Sequence, residues 1–359
     1  MRIEDLLRQA VDLKASDLHL TVGAPPVIRL NGELKRLDLP VLGQADTGRL
    51  LHELLSAEQA QRFESQGEVD FAYSLAGGER FRVNGYRQRG SCALAARVIS
   101  ATIRDLRALG MPDSLANLAR RPRGLVLVTG PTGSGKTTTL AALIDLINRE
   151  FEYHIITLED PIEYLHNHRN SVINQREVGS DTKSFSSALR SALREDPDVI
   201  LVGEMRDLET VSIALSAAET GHLVLATLHT NDAAQTIDRV VDAFPPHQQA
   251  QVKVQLGNCL EGIVAQRLLP RRDRAGRVVA VEILVATAAV RNLIREGKTH
   301  QIPSAIQTGS RHGMRSMDFS LRELYNGGLI AAEDYVFNVT DPAAVAREIG
   351  WRRDNAGEA

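Results

Sequence analysis

Residues 124–144, GLVLVTGPTGSGKTTTLAALI, carry the clearest set of side chains for chemistry in this sequence. Gly130, Gly135, Lys136 and Thr137 fit the pattern G-x-x-x-x-G-K-[ST], in which the loop's backbone N–H groups close around phosphate oxygens. In this pattern the lysine reaches the outer phosphates and the threonine hydroxyl can ligate Mg²⁺. We therefore expect a nucleoside triphosphate to be bound by Gly130, Pro131, Thr132, Gly133, Ser134, Gly135, Lys136, Thr137 and Thr138.

Acidic side chains follow a second apolar run, HIITLEDPIEY, at residues 154–164. This run predicts a strand that leads into Glu159, Asp160 and Glu163. In open α/β sheets, ligands bind at the carboxyl ends of the strands, so these carboxylates are candidates for the same site. There, a carboxylate could orient Mg²⁺ or polarise the attacking water.

A third apolar run, VILVG at residues 199–203, ends at Glu204. A strand with an acid at its tip, after the phosphate loop in the chain, has the form of a Walker B motif. The position where an aspartate is usual is Gly203, so Glu204 is the only acid at this tip. We expect Glu204 to activate water or to orient Mg²⁺, directly or through water, together with Thr137.

Two histidines bracket the next predicted strand, in HLVLATLHTND. His229 comes at the strand tip, where a side chain could contact the γ-phosphate of a bound nucleotide. This position favours a role in sensing the γ-phosphate. His222 follows the end of a helix, where a histidine can bond the last carbonyl groups, so both a capping and a functional role stay open for it.

The patterning divides the chain into four parts. They are an N-terminal domain at residues 1–100, a connector helix region at 101–123, an α/β domain at 124–350 and a polar tail at 351–359. In the first part, an amphipathic helix is followed by period-two runs with hairpin signals, which predict a small antiparallel sheet with helices on one side. From residue 124 onward, apolar strands alternate with amphipathic helices, which predicts a mainly parallel sheet covered on both faces. The turn signals are Asn31-Gly32 and Gly77-Gly78.

Arginines lie on the strands of the N-terminal domain. The alternation around Phe81 and Val83 places Arg80 and Arg82 on the opposite face of their strand, and the run CALAARVIS brings Arg97. These arginines belong to a different domain from the phosphate loop. An alternative interpretation is that they form an ordinary solvated strand face.

Composition limits the class of protein. The 359 residues include 42 basic and 45 acidic side chains, with a net charge of -3, which gives no general field for binding nucleic acid. Two cysteines, Cys92 and Cys259, cannot form a four-thiolate zinc site, and a reducing compartment is the simplest interpretation. No apolar run approaches the ~20 residues of a membrane span, so we expect a cytoplasmic protein that does not insert into the membrane.

The motifs together resemble those of the secretion ATPase superfamily, and more narrowly those of the PilT family, the twitching-motility ATPases that retract type IV pili. The resemblance rests on GPTGSGKTTT, LEDPIE, ALREDPDVILVGEMRDLET, the two-histidine box and AVRNLIREGKTHQI, and it extends from ASDLHL to SAIQTG. It implies a PAS-like α+β domain followed by a RecA-like P-loop ATPase domain, with ATP and Mg²⁺ bound by Lys136 and Thr137.

The same resemblance implies roles for further residues and for partners. Glu163 and Glu204 supply catalytic carboxylates, His229 senses the γ-phosphate, and Arg82 and Arg97 match arginines that reach the nucleotide phosphates. The implied assembly is a homohexamer that acts on an inner-membrane pilus platform protein, at the cytoplasmic side of that membrane. A paralogous retraction ATPase is a further candidate partner.

Three alternatives stay open at this stage. An extension ATPase of the same superfamily commonly carries a four-cysteine metal insertion, which two cysteines cannot provide. An accessory ring that binds ATP and assists another motor is disfavoured by the presence of Glu163 and Glu204. A DNA-transfer ATPase would benefit from aromatic stacking platforms, whereas aromatic residues are only 4% of this chain.

Overall fold

The computed structural model describes residues 1–30, 32–99, 102–274 and 276–351. The chain forms two compact units. The first unit comprises Met1–Thr102 and the short segment Glu163–Leu165. The second comprises Ile103–Ile162 and the chain from His166 onward.

The first unit contains a six-stranded sheet in which all neighbouring strands are antiparallel. Its strands are β1 (Asp17–Leu20), β2 (Val27–Leu30), β3 (Glu33–Arg36), β4 (Glu68–Ser74), β5 (Arg80–Gln88) and β6 (Ser91–Ile99), in the spatial order β3-β2-β1-β6-β5-β4. Its helices are α1 (Ile3–Asp12), α2 (Gln44–His52) and α3 (Ala57–Gln66). The predicted antiparallel sheet is therefore present.

All three helices pack against one face of this sheet. Alternate strand residues such as Phe81 and Val83 are buried in a core that also contains Leu51 of α2 and Phe63 of α3. Arg82, between those two strand residues, is exposed on the other face. The period-two pattern thus separates an apolar face under the helices from a charged face, as the sequence predicts.

The second unit is built on a seven-stranded sheet in the order β13-β12-β7-β11-β10-β8-β9. Its strands are β7 (Gly124–Thr129), β8 (His154–Glu159), β9 (Val172–Glu177), β10 (Val199–Val202), β11 (Leu223–Leu228), β12 (Leu260–Pro270) and β13 (Arg277–Val285). Every neighbouring pair is parallel except β12 and β13, which form an antiparallel pair at one edge. The mixed α/β class with a mostly parallel sheet is confirmed.

Helices cover both faces of this second sheet. Successive residues of β7 enter opposite cores, because Leu125 and Leu127 pack in one cluster and Val126 and Val128 in the other. Such two-sided burial explains why the central strands are continuous apolar runs. The helices are α4 (Asp113–Ala119), α5 (Lys136–Glu150), α6 (Phe185–Ala192), α7 (Leu208–Glu219), α8 (Ala233–Asp242), α9 (Pro246–Cys259), α10 (Ala288–Glu296), α11 (Ile302–Thr308), α12 (Met317–Asn326), α13 (Ala332–Asn338) and α14 (Pro342–Glu348).

Two details of the sequence prediction are wrong. The connector is not helical from residue 103, because the only helix among its described residues, 102–123, is α4 (Asp113–Ala119). Gly110 has a φ of 74°, and Pro112 keeps the residue before it out of the helical region, so a helix can begin only after the proline. Trp351 also belongs to no polar tail, since its ring packs edge-on against Phe337 at 5.6 Å. Asn31 and residues 352–359 lie outside the described residues.

Replacing Leu51 with alanine tests the packing of the first unit. Leu51 of α2 is 0% exposed. Its side chain packs closely on Gly85 of β5, since a Cβ added to Gly85 would lie 2.7 Å from Cδ1 of Leu51. We expect Leu51→Ala to lower the free energy of unfolding by about 2–5 kcal/mol in urea titrations, because it leaves a cavity in the core. Leu34→Ala is the control, since Leu34 is 58% exposed. Equal, small effects of the two changes would contradict the packing described here.

Candidate active site

The phosphate loop connects β7 to α5 and requires glycine for geometric reasons. Gly130 has a φ of 141°, and a Cβ at this position would lie 2.4 Å from the carbonyl oxygen of Gln266. Gly133 and Gly135 also have positive φ values, of 79° and 90°. These conformations are readily adopted only by glycine, and they let the loop turn sharply from the strand into the helix.

The loop ends at the N-terminus of α5, which begins at Lys136 and has no side-chain cap. The first N–H groups of a helix have no intrahelical partner, and together with the helix dipole they favour an anion. Lys136 is buried at the same place, and its Nζ donates to the carbonyl oxygens of Gly130 and Pro131 at 2.8 and 3.1 Å. Thr137 follows in the first turn of α5.

The interior of the loop fits a phosphate group. Ser134 is 3% exposed, and its buried Oγ has no hydrogen-bond partner among the described residues. Its hydroxyl lies beside Gly130, where a Cβ would approach it to 2.6 Å. Buried polar atoms are normally satisfied, so an unsatisfied hydroxyl inside a glycine cradle is consistent with a loop that binds an oxygen-rich ligand.

Glu204 lies just beyond β10, two strands away from the phosphate loop. Before it, the backbone N–H of Gly203 donates to the carbonyl oxygen of Leu158 at 2.7 Å. A Cβ at Gly203 would lie 3.0 Å from that same oxygen, which is tighter than ordinary contact. The close approach of β8 and β10 therefore leaves little room for a side chain at Gly203.

Two basic side chains contact the carboxylate of Glu204. Its Oε1 lies 2.6 Å from Nε of Arg206 and 3.1 Å from Nε2 of His229. Burial alone would raise the pKa of Glu204, but the hydrogen bond from Arg206 and the charges of Arg206, His229 and Lys136 outweigh it and hold that pKa below its ordinary value. Glu204 is thus a charged carboxylate within the electrostatic reach of the phosphate-loop lysine.

The tips of β10 and β11 are joined by hydrogen bonds. The hydroxyl of Thr227 donates to the carbonyl oxygen of Gly203, and the N–H of Met205 donates to the carbonyl oxygen of Thr227 at 3.2 Å. Because β7, β11 and β10 are parallel neighbours, the phosphate loop, His229 and Glu204 all follow the same edge of the sheet. The structure therefore brings these three predicted elements together.

The acidic side chains at the end of β8 and just after it lie in different environments. Glu159 is 6% exposed and accepts hydrogen bonds from the Thr157 hydroxyl at 2.7 Å and from Gln175 at 3.1 Å. These bonds fix Glu159 as part of the sheet edge. Asp160 is exposed. The hydrogen bond to Glu204 is the main cause that raises the pKa of Arg206, and the charge of Asp160 contributes, so Asp160 is within electrostatic range of Arg206.

Three of the predicted site residues belong to the first unit, whereas the phosphate loop, Glu204 and His229 belong to the second. Glu163 is exposed and falls in the short segment that groups with the first unit. Arg82 and Arg97 are also in the first unit, directly opposite each other on β5 and β6. The predicted site residues thus fall on both units, with the loop, His229 and Glu204 on the second and Glu163, Arg82 and Arg97 on the first.

His222 lies away from the phosphate loop. It precedes β11, at the opposite end of the strand from His229, and six residues at about 3.3 Å each separate the two ends by roughly 20 Å. Its Nδ1 is 3.0 Å from the carbonyl oxygen of Ala217 near the end of α7. Of the two roles left open for His222, the structure supports the capping of this helix.

Sequence patterns did not single out several residues that shape the site. Glu177 is 3% exposed and accepts from the N–H of Ile162 at 3.1 Å, which fixes the acidic segment. Glu282 accepts from the N–H of Ala233 at 2.9 Å, at the start of the helix that follows His229. Burial is the main cause that raises the pKa of Glu282. These contacts join residues that are far apart in the chain, so no local sequence pattern indicates them. Arg206 was also missed, and its place two positions after Glu204 is the local pattern that could have indicated it.

Comparison with known proteins identifies the family. The family described as Type II/IV secretion system protein matches residues 2–326. The chain therefore belongs to the Type II/IV secretion system protein family.

Individual relatives cover nearly the whole chain. It is similar to the Type IV pilus retractation ATPase PilT of Pseudomonas aeruginosa, with 49% identity over 334 residues that span 93% of this chain and 97% of the relative. It is also 48% identical to the Twitching motility protein of Neisseria gonorrhoeae over 327 residues, 89% of this chain and 87% of that protein. A crystal structure of the pilus retraction motor PilT with bound ADP matches with a TM-score of 0.90 and 51% identity, covering 97% of this chain and 99% of that one. The resemblance drawn from the motifs is confirmed.

Replacing Gly130 with alanine tests the shape of the phosphate loop. The new Cβ would lie 2.4 Å from the backbone oxygen of Gln266, so the loop must move. We expect Gly130→Ala to weaken binding of a fluorescent ATP analogue at least tenfold. Gly133→Ala is the matched control, because nothing lies within 4 Å of a Cβ there and only the positive φ opposes it, at a cost of about 1–2 kcal/mol. A larger loss of affinity in Gly133→Ala than in Gly130→Ala would contradict this geometry.

Proposed function

We propose that this chain is an ATPase that powers the retraction of type IV pili, and hence pilus disassembly and twitching motility. The observation that carries the proposal is the charged Glu204 carboxylate, paired with His229 and within the electrostatic reach of Lys136 at the phosphate loop. A carboxylate placed beside a phosphate-binding loop is the arrangement needed to direct a water molecule at a γ-phosphate. The retraction ATPases to which the chain is similar support the choice of biological process.

Nucleotide binding is assigned to residues 130–138, which comprise the loop and the first turn of α5. The glycine conformations of the loop and the uncapped N-terminus of α5 suit the α- and β-phosphates, and Lys136 can leave its loop carbonyls to bind the outer phosphates. Mg²⁺ would be held by the Thr137 hydroxyl and, directly or through water, by Glu204. Within the described part of the chain, no group of three or more His, Cys, Asp or Glu side chains could hold a metal ion, which suits an ion bound mainly by substrate phosphates.

Water activation is assigned to Glu204, with Glu163 as a second carboxylate. Nε2 of His229, at the tip of β11, is 3.1 Å from Oε1 of Glu204. A contact between His229 and the γ-phosphate would therefore also affect the Glu204 carboxylate. Arg206 contacts the same carboxylate oxygen at 2.6 Å, so a water molecule that uses this oxygen would share it with the ion pair. Mg²⁺ would supply charge neutralisation of the phosphates during transfer.

Coupling to mechanical work is assigned to the first unit. Arg82 and Arg97 are candidates for stabilising the charge that develops on the phosphates, an effect worth about 10³-fold or more where arginine fingers are used. Because they are carried by a separate unit, their arrival would link domain closure to hydrolysis. We assign a PAS-like fold to this unit and a RecA-like fold to the ATPase unit, and we propose that the chain works as a homohexamer.

The proposed partner is a platform protein of the pilus machine in the inner membrane. Within the described residues, no helix has both the length and the apolar character to span a bilayer. We therefore propose that the ring works in the cytoplasm and meets the membrane only through this partner. A paralogous retraction ATPase could share the work.

The alternatives differ in what they would do with ATP. An accessory ring would bind ATP with little turnover of its own, and an extension ATPase would hydrolyse it to assemble pili. Nothing in the described structure favours nucleic acid as a partner over these. Turnover by the purified protein separates the accessory ring from the two motors, and salt-sensitive DNA binding would identify a DNA-transfer ATPase.

Two substitutions test the catalytic assignment. We expect Lys136→Ala to abolish ATP binding, whereas Glu204→Gln should still bind ATP but hydrolyse it about 10²- to 10⁴-fold more slowly, because general-base catalysis is lost. Phosphate release and binding of a fluorescent ATP analogue measure the two steps. The control is Glu209→Gln, which makes the same chemical change at a side chain that is 51% exposed and pairs with Arg190. Full turnover in Glu204→Gln would show that the assignment is wrong.

A further inference from the structure

Four charged side chains form one row across the sheet of the first unit. Arg29 of β2 lies opposite Asp17 of β1, Asp17 lies opposite Arg97 of β6, and Arg97 lies opposite Arg82 of β5. Side chains directly opposite each other on neighbouring antiparallel strands are close enough to interact. Since Phe81 and Val83 face the helices, the row lies on the face that the helices leave uncovered.

Asp17 is the only acid in this row, and it is held in place. It is 7% exposed, its Oδ1 accepts from Nε of Arg97 at 2.9 Å, and its Oδ2 accepts from the hydroxyl of Ser16 at 2.8 Å. Nε of Arg29 lies 3.7 Å from Oδ2. Burial would raise the pKa of Asp17, but the hydrogen bonds from Ser16 and Arg97 and the charge of Arg97 lower it, so the carboxylate stays charged.

The ion pair uses the inner nitrogen of Arg97. Its terminal nitrogens, Nη1 and Nη2, make no hydrogen bond to any residue in the described ranges, and the side chain is 70% exposed. A guanidinium is planar, so fixing Nε also fixes the plane of the two terminal nitrogens. Those two nitrogens form the fork that binds two phosphate oxygens at once.

The row keeps an excess of positive charge. Like charges directly opposite each other on neighbouring strands are destabilising, and Arg82 and Arg97 are such a pair. Arg82 is exposed and makes no ion pair with any described residue, so Asp17 offsets only part of the charge. A polyanion that binds both arginines would relieve this repulsion.

We infer that Asp17 is a positioning residue for ATP hydrolysis. Asp17 holds Nε of the Arg97 guanidinium, and this contact orients the terminal nitrogens of Arg97 to bind phosphate oxygens. The inference rests on the proposed function, because it requires Arg97 to act on the nucleotide. It adds a residue from the segment ASDLHL, residues 15–20, to the catalytic apparatus without contact between that residue and the substrate.

The test measures kcat and KM for ATP in the full-length protein carrying Asp17→Asn, Arg97→Lys or both. Asparagine keeps the size and an acceptor oxygen of Asp17 but removes its charge, and lysine keeps the charge of Arg97 but has neither Nε nor a fork. The control is Glu64→Gln, because Glu64 pairs with Arg87 of β5, which lies over the Phe63 ring on the helix-covered face of the same sheet. Tm values of all variants show whether each one is folded.

We expect Asp17→Asn to lower kcat about three- to tenfold with little change in KM, since only an interaction made in the transition state is weakened. Arg97→Lys should lower kcat more, and the double variant should be no slower than Arg97→Lys, because lysine has neither the Nε that Asp17 holds nor a fork to orient. Glu64→Gln should match the wild type in kcat.

Wild-type kcat in Asp17→Asn would overturn the inference. So would effects of Asp17→Asn and Arg97→Lys that multiply in the double variant, or an equal fall in kcat in Glu64→Gln, because both outcomes indicate a general structural role. If Arg97→Lys had no effect, both the inference and the assignment of Arg97 would fail. Loss of turnover in Lys136→Ala would in that case still support the ATPase function, so the two failures can be told apart.

Discussion

The parallel register of β7, β11 and β10 is the constraint on which the candidate site depends. These neighbouring strands end at one edge of the sheet, where they are followed by the phosphate loop, His229 and Glu204. The side chains are therefore placed by buried strands and not by long loops. The hydrogen bonds of Thr227 and Met205 across β10 and β11 fix the relative height of the two tips. Chemistry that requires contacts near 3 Å needs this kind of support.

A second constraint is the distribution of charge between the two units. The ATPase unit holds Glu204 with Arg206 and His229, whereas the N-terminal unit carries Arg82 and Arg97 with Asp17 as the partial counter-charge. An arginine that belongs to a separate unit can stabilise transition-state charge only when the units adopt a suitable arrangement. Under the roles proposed for Arg82 and Arg97, hydrolysis would depend on that arrangement, and a dependence of this kind is what a motor requires.

The sequence was informative where local patterns decide the structure. Glycine spacing predicted the turn between β7 and α5, where Gly130, Gly133 and Gly135 have positive φ values. Apolar runs predicted the strands, and alternation around Phe81 predicted the two faces of the first sheet. Boundaries were less predictable, since Gly110 and Pro112 shorten the connector helix and Trp351 packs where a polar tail was expected. The roles of Asp17, Glu177 and Glu282 could not be predicted at all, because they depend on contacts between strands and loops distant in the chain. The PAS-like and RecA-like assignments, the homohexamer and the roles of Glu163, Glu204, His229, Arg82 and Arg97 stay predictions.

The most direct test of the retraction role is to count and image surface pili on cells whose chromosomal copy carries Glu204→Gln. We expect abundant pili that no longer retract, since the protein would fold and bind ATP without completing hydrolysis. Cells without pili would show that the protein drives extension. Pili that are normal in number and still retract would show that another ATPase performs retraction, and the role proposed for this chain would then be wrong.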